Sequence, residues 1–287
     1  MQPSAPYDYN KKFLKNDIMT KILLSLAAVA LLATGCTTKT EKALVLYYSE
    51  TGTTEAVALE LQKQLGADIE KIEAEVPYTG NFQETIERGG REMRSGETPA
   101  LKPLKAKLAK YDVIYLGYPI WFGTYAMPIA TLVKENDFEG KTIIPFCTFG
   151  SGGLGSSIEA LKKALPKATI QPGYGVRAAR VAAAGKELDR FLKENGYVEG
   201  TVEKLPDYSA QQPVTEEDSL LFDAACSSYQ FPLGTPVTVG KRTTPDGTDY
   251  KFIAKSRGMN GEEANVVIYV TKGNAPDAKP EFTEVAR

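Results

Sequence analysis

Residues 43–54 read ALVLYYSETGTT, an apolar run followed at once by a loop of hydroxyl side chains around one glycine. The run has the length and continuity of a strand that is buried on both faces. Residues 53–65 then show the apolar spacing of a helix. The pattern predicts a strand, a loop and a helix, with the hydroxyls at a helix N-terminus, where backbone N–H groups bind anions.

The first loop, residues 49–54, contains no Lys or Arg. A nucleoside-triphosphate loop requires a Lys before its final Ser or Thr, and a dinucleotide loop requires three spaced glycines, whereas this loop has Gly52 alone. The loop therefore favours a terminal phosphate monoester held by backbone N–H groups and hydroxyls. The alternative is an ordinary helix that is capped by Thr51 or Thr53.

Apolar strands alternate with helical spacing from residue 43 to about residue 197. Such alternation predicts the α/β class, with a doubly wound parallel sheet whose ligands bind at the carboxyl ends of the strands. The predicted strands are residues 43–48, 68–72, 113–118, 142–147 and 168–176, the last interrupted by Pro172–Gly173. The predicted helices are residues 53–65, 81–93, 124–133, 156–165 and 182–192.

Three loops in this pattern carry a resemblance to the flavodoxin family. The first loop, SETGTT, resembles the flavodoxin phosphate loop. The second loop, YPIWFG at residues 118–123, resembles the loop that flavodoxin-like proteins place against the flavin ring, and the third loop, TFGSGGLGS at residues 148–156, resembles their remaining flavin loop. The resemblance implies a short-chain, flavodoxin-like five-stranded parallel sheet in the order 2-1-3-4-5, over residues 43–197.

The same resemblance implies flavin mononucleotide (FMN), bound without a covalent link. In the first loop it assigns the 5′-phosphate to Ser49, Thr51, Gly52, Thr53 and Thr54. In the second loop it assigns the edge of the ring to Pro119, Ile120, Trp121, Phe122 and Gly123. In the third loop it assigns the other side of the ring to Thr148, Phe149, Gly150, Ser151 and Gly153. For Trp121, the sole Trp of the chain, the alternative is an aromatic that packs in the core.

The chain contains no histidine. This excludes Ser–His and Cys–His nucleophile pairs and histidine-ligated metals, so no metal site is predicted and the chemistry is assigned to the flavin rather than to a side chain. Close relatives often carry His after the Thr that begins the third loop, where this chain has Phe149. The difference favours electron transfer or reduction of a quinone-like acceptor.

The charge of the chain is close to balanced, with a net charge of −2. No segment is polybasic, so nucleic acid is not expected as a partner. Residues 37–210 contain 22 Lys and Arg against 23 Asp and Glu, a net charge of −1. Carrier flavodoxins are strongly acidic, so this balance weakens the interpretation as a plain electron shuttle.

Residues 1–36 are predicted to be a leader with a lipoprotein signal peptide whose true start is Met19. Residues 22–33, ILLSLAAVALLA, are apolar but too short to span a bilayer. They precede Thr34-Gly35-Cys36, which resembles the lipobox of bacterial lipoproteins, so Cys36 is expected to be lipidated and followed by a tether at residues 37–42. The alternative is an ordinary cleaved signal with an incidental cysteine.

The pattern changes after a predicted linker at residues 198–213. Residues 216–225 have helical character, with Thr215 as the predicted cap and Asp218 three residues later completing a capping box. Alternating runs at residues 237–239, 250–254 and 266–270 predict antiparallel strands. Residues 214–287 are therefore predicted to be a small α+β module. Nothing in the sequence indicates the role of this module.

The sequence as a whole predicts an exported, lipid-anchored FMN oxidoreductase of the bacterial cell envelope, facing the periplasm. Its membrane partner would be reached through the anchor at Cys36, and its electron donor and acceptor stay open among nicotinamide, quinone and protein. The alternatives are a pure one-electron carrier and a binding module that retains the fold without the flavin.

Overall fold

The computed structural model of the chain describes residues 42–79, 81–150, 152–229, 231–257 and 262–286. These residues belong to one compact unit, Glu41–Arg287. The predicted leader, Cys36 and nearly all of the tether lie outside the described residues. Within the described part, no helix is both long and apolar enough to cross a bilayer.

The parallel sheet forms as predicted. Its strands run in the order β2-β1-β3-β5-β6, and β7 also pairs with β5, so the predicted order of five strands is confirmed with the fifth strand split in two. The split falls at Pro172–Gly173, because Pro lacks the N–H that a ladder requires. The strands are β1 Ala43–Tyr47, β2 Asp68–Lys71, β3 Val113–Trp121, β4 Thr124–Tyr125, β5 Thr142–Phe149, β6 Thr169–Ile170 and β7 Tyr174–Arg177.

Helices cover both faces of this sheet. They are α1 Thr53–Leu65, α2 Phe82–Ser95, α3 Met127–Glu135, α4 Gly155–Ala164 and α5 Ala184–Glu194. Alternate residues of β1 enter two different cores, with Leu44 and Leu46 on one face and Val45 and Tyr47 on the other. Burial on both faces explains why this strand reads as a continuous apolar run.

The predicted helix at residues 124–133 is wrong in its first turn. Thr124 and Tyr125 form β4, which pairs antiparallel with the end of β3. The helix α3 begins at Met127, followed by Pro128. Proline is suited to the first helical turn, where its missing N–H would have no partner, and so it marks the start of α3.

The C-terminal residues form a five-stranded antiparallel sheet in the order β12-β11-β10-β9-β8. One face packs against α6, Glu216–Cys226, which begins with the predicted capping box of Thr215 and Asp218. Phe222 of the helix lies against Phe252 of the sheet, with ring centroids 5.1 Å apart. The strands are β8 Gln212–Pro213, β9 Thr235–Thr244, β10 Gly247–Arg257, β11 Glu263–Gly273 and β12 Glu281–Ala286. The predicted α+β module is confirmed, with β8 and β12 added.

Candidate functional site

The first, second and third loops meet at one edge of the parallel sheet. They follow β1, β3 and β5, which are adjacent and parallel. Two hydrogen bonds connect the loops: Thr54 Oγ1 lies 2.8 Å from Thr148 Oγ1, and Ser156 Oγ donates to the Gly123 carbonyl. These contacts bring together residues that are 94 and 33 positions apart in the chain.

The N-terminus of α1 has no side-chain cap. Its N-cap is Gly52, with φ of 83°, and no side chain there accepts from the first-turn N–H groups. Thr51 and Thr53 instead lie with their Oγ1 atoms 3.0 Å apart at the surface. The capped-helix alternative is therefore not what forms, and the first-turn N–H groups are available to an external anion.

Ser49 is 5% exposed, and its Oγ has no hydrogen-bond partner in the described part of the chain. A buried hydroxyl without a partner is unusual, because its desolvation is not compensated. Thr54 and Thr148 add to this donor set. Whichever of the two hydroxyls donates to the other, one O–H hydrogen stays free for an acceptor.

The two acidic residues of this region are engaged by protein groups. Glu50 accepts a hydrogen bond from the Tyr48 hydroxyl. Glu55 pairs with Lys71 at 2.8 Å, and the hydrogen bond from Lys71 lowers the pKa of the Glu55 carboxyl. These contacts reduce the repulsion that an anion would meet in the first loop.

The second loop makes a tight turn between β3 and β4. Phe122 and Gly123 have φ values of 51° and 80°, the left-handed pair of a two-residue hairpin. Such a conformation is strained for Phe and is often retained at functional sites. Phe122 is also 45% exposed, so an aromatic side chain is held at the surface of this edge. Pro119 and Ile120, just before it in β3, are half-buried.

Trp121 packs toward α2 in an aromatic cluster made of Tyr48, Tyr78 and Trp121. Its ring centroid lies 5.9 Å from that of Tyr48 and 5.0 Å from that of Tyr78. The close approach is possible because α2 has Gly89 there, where a Cβ would lie 3.4 Å from the indole. The Trp121 indole thus packs among protein side chains, whereas Phe122 lies against Gly89 and Gly90 of α2 with part of its ring exposed.

The third loop presents backbone rather than side chains. Thr148 and Phe149 are buried, and the Phe149 ring packs in the core beside Gly175 of β7. Apart from chain neighbours, no described atom lies within 4 Å of the position that a Cβ would occupy on Gly150 or Gly152, so a ligand could approach their backbone. Gly153 is half-buried. Ser151 lies outside the described residues.

Two residues near the third loop were not predicted from the sequence. Arg177 of β7 donates from Nε to the Gly150 carbonyl at 3.3 Å. Glu284 of β12 places Oε1 3.5 Å from the position that a Cβ on Gly153 would occupy. No local sequence signal marks either residue, because each reaches the loop only through the docking of a distant element.

These features fit the chemistry of FMN. Its phosphate is a dianion, which suits an uncapped helix N-terminus and the buried Ser49 hydroxyl, for which the described residues supply no partner. Its ring is flat and largely apolar with a polar rim, which suits the exposed Phe122 and the open glycine backbone of the third loop. Among the described residues, no cluster of three or more His, Cys, Asp or Glu side chains could hold a metal ion.

The fold and its three loops define a flavodoxin-like α/β protein with an anion-binding first loop. The chain belongs to the Flavodoxin family, whose model matches residues 42–191, just over half of the 287 residues. This confirms the family and the fold predicted from the sequence, and FMN is the cofactor of that family. The comparison with curated proteins found no match.

Several solved structures are similar to the chain. A candidate flavoprotein of Bacteroides uniformis is 31% identical, with 53% of this chain and 99% of that chain covered and a TM-score of 0.48. A candidate flavoprotein of Bacteroides eggerthii is also 31% identical, with 54% and 98% covered and a TM-score of 0.46. A flavoprotein of Lactobacillus acidophilus in complex with FMN is 19% identical, with 53% and 99% covered and a TM-score of 0.45.

Proposed function

We propose that this protein binds FMN at the three loops and acts as an oxidoreductase that transfers electrons to a quinone-like or protein acceptor. The observation that carries the proposal is the first loop, where an uncapped helix N-terminus lies beside a buried hydroxyl that has no partner among the described residues. An anion at this point would satisfy both.

The chain would bind and orient the cofactor rather than supply a reacting side chain. The first loop would hold the phosphate, and the Thr54–Thr148 contact would keep the first and third loops in register. Phe122 would cover the ring and help exclude water, while the glycines of the third loop would allow close approach of the backbone. Bound FMN would accept and release the electrons.

The absorption spectrum and a binding titration test this function directly. We expect the purified protein to be yellow, or to bind added FMN when titrated by calorimetry. Riboflavin, which lacks the phosphate, should bind at least tenfold more weakly, because it cannot use the first loop. A folded protein that is colourless and ignores FMN would overturn the proposal. Equal affinity for FMN and riboflavin would overturn the phosphate assignment.

Turnover distinguishes an enzyme from an electron carrier. We expect the FMN-loaded protein to reduce a soluble quinone with NADH, NADPH or a quinol as donor. The near-neutral charge of residues 37–210 supports this expectation, since an obligate shuttle relies on a strong field to attract its partners. Reduction of the flavin by a chemical reductant without turnover on any of these donors would favour the carrier.

We further propose that the protein is exported and anchored to a membrane of the bacterial cell envelope through Cys36, facing the periplasm. The support is the sequence of residues 19–36, with its basic start, short apolar stretch and lipobox-like cysteine. A lipid on Cys36 and the tether at residues 37–42 would keep the FMN site near the bilayer, where quinones dissolve.

Replacing the lipidated residue should release the protein. We expect Cys36→Ser to shift the protein from the membrane fraction to the soluble fraction and to abolish labelling by a fatty acid, because no thiol is left to modify. Cys226→Ser is the matched control, since Cys226 is a free cysteine of the described residues and lies outside the lipobox-like sequence. Membrane retention of Cys36→Ser at the level of the control would contradict the lipid anchor.

A further inference from the structure

The C-terminal module contacts the candidate FMN site through Arg177. This guanidinium donates to the Gly150 carbonyl of the third loop and, from Nη1, to the Phe282 carbonyl of β12 at 3.1 Å. It also lies over the Phe282 ring, 4.3 Å from the centroid. One side chain therefore ties the third loop to the edge strand of the module, and β12 is held beside that loop.

A β-bulge decides where the next acidic side chain of β12 points. Phe282 lies opposite Val270 and Glu284 lies opposite Tyr269, so Thr283 is the extra residue. In an unbroken strand, Phe282 and Glu284 would share a face. The bulge leaves Phe282 in the core of the module and turns Glu284 to the opposite face. Bulges often redirect a side chain beside a functional site.

The redirected carboxylate reaches the third loop. Glu284 Oε1 lies 3.5 Å from the position that a Cβ on Gly153 would occupy. The negative charge also contributes, after burial, to raising the pKa of the Cys147 thiol, which lies in β5 just before this loop. The charge of Glu284 therefore acts on groups at the end of β5, where the third loop begins.

No partner compensates this carboxylate. In the part of the chain that the structure describes, Glu284 has neither a hydrogen-bond donor nor an ion pair, and the nearby Arg177 is committed to two carbonyls. The side chain stays exposed on one side, yet the surrounding protein displaces enough water to raise the pKa of its carboxyl. Within the described residues, the charge of Glu284 is therefore not neutralised by an ion pair.

We propose that Glu284 lowers the reduction potential of the bound FMN by placing a fixed negative charge at the third loop. The inference rests on the proposed function, which assigns this loop to the flavin ring. Reduction by two electrons adds negative charge to the site, and a carboxylate in partly dehydrated surroundings opposes that addition. The C-terminal module then serves as a wall of the redox site and sets its potential.

Potentiometry of the full chain loaded with FMN tests the proposal. We expect Glu284→Gln to raise the affinity for reduced over oxidised FMN about tenfold, which is a rise of about 30 mV in the two-electron potential. Glu284→Lys should raise it further. The potential is measured by equilibrium with a reference dye of known potential, at the same pH for every variant.

Glu281→Gln is the matched control. It removes the same charge from the same strand, but Glu281 forms an ion pair with Arg180 at 3.6 Å, unlike Glu284. Arg180 also pairs with Glu187 at 2.7 Å, so it still has a partner in the Glu281→Gln variant. We expect its potential to match that of the wild type. An unchanged potential in Glu284→Gln and Glu284→Lys would overturn this inference, and so would an equal shift in the control. Failure of the wild type to bind FMN would overturn the proposed function together with it.

Discussion

Thr51→Ala combined with Thr54→Ala is expected to weaken FMN binding by about 1–3 kcal/mol, roughly 5- to 150-fold. The two hydroxyls belong to the first loop, where the uncapped start of α1 favours an anion. Hydrogen bonds to a charged group contribute more than those between neutral groups, and the loop has no cation that could compensate for their loss. The dissociation constant is measured by calorimetry or by quenching of flavin fluorescence.

Two comparisons make this result specific. Thr201→Ala combined with Thr235→Ala removes two exposed hydroxyls outside the three loops and should leave the affinity unchanged. Riboflavin should bind the Thr51/Thr54 variant as it binds the wild type, because it has no phosphate to lose contacts with. Thr54→Ala also removes the partner of the Thr148 hydroxyl, so the melting temperature is recorded alongside. FMN affinity equal to that of the wild type would contradict the phosphate assignment.

Gly117→Ala is expected to destabilise the fold by about 3 kcal/mol, since overpacking a close-packed core costs about 1–3 kcal/mol and three ring carbons of Phe146 would lie within 2.8 Å of the added Cβ. A Cβ on Gly117 would lie 2.1 Å from Cζ of Phe146, which is its partner across β3 and β5. Phe146 is 1% exposed, so its ring is enclosed by the core and would have to shift to admit the added methyl group. Thermal unfolding should begin about 6–12 °C lower than in the wild type.

A second glycine provides the control for this change. A Cβ on Gly185, in the helix α5, would lie 3.5 Å from Glu60, an ordinary contact distance. Gly185→Ala should therefore be neutral or slightly stabilising, because Ala favours the helix by up to about 1 kcal/mol. If Gly117→Ala melted at the temperature of the wild type and of Gly185→Ala, the crowding between β3 and β5 would not be the constraint described.

Local sequence patterns were sufficient to predict the parallel sheet and the positions of the three loops, whereas the strand order was implied by the resemblance to the flavodoxin family. The strand at residues 43–47 is buried on both faces, so its composition alone distinguishes it from a half-exposed strand. The glycine and hydroxyl residues of the first loop were recognisable because they lie within six consecutive positions. The capping box of α6 was also predicted, because both of its residues lie within one helical turn.

The orientation of individual side chains at the site depended on the tertiary structure. Whether Trp121 faces a ligand or the protein is decided by Gly89, 32 positions earlier, which leaves room for the indole against α2. The sequence pattern places the start of α3 three residues too early, at Thr124 instead of Met127. The chain first turns at Phe122–Gly123 and pairs with the end of β3 as the short strand β4. The spacing of apolar residues does not reveal such a turn, because the turn depends on positive φ angles at two successive residues.

The chain's sequence by itself determined the α/β class, the order of the elements along the chain and the position of the anion loop. Burial and helix termini restrict which residue types occur at neighbouring positions, so local patterns reveal them. Only the tertiary structure decided that the C-terminal module touches the third loop, and that a one-residue bulge at Thr283 turns Glu284 toward it. The physical reason is distance along the chain. Contacts between residues more than 100 positions apart depend on how whole elements pack, and no local pattern records that packing.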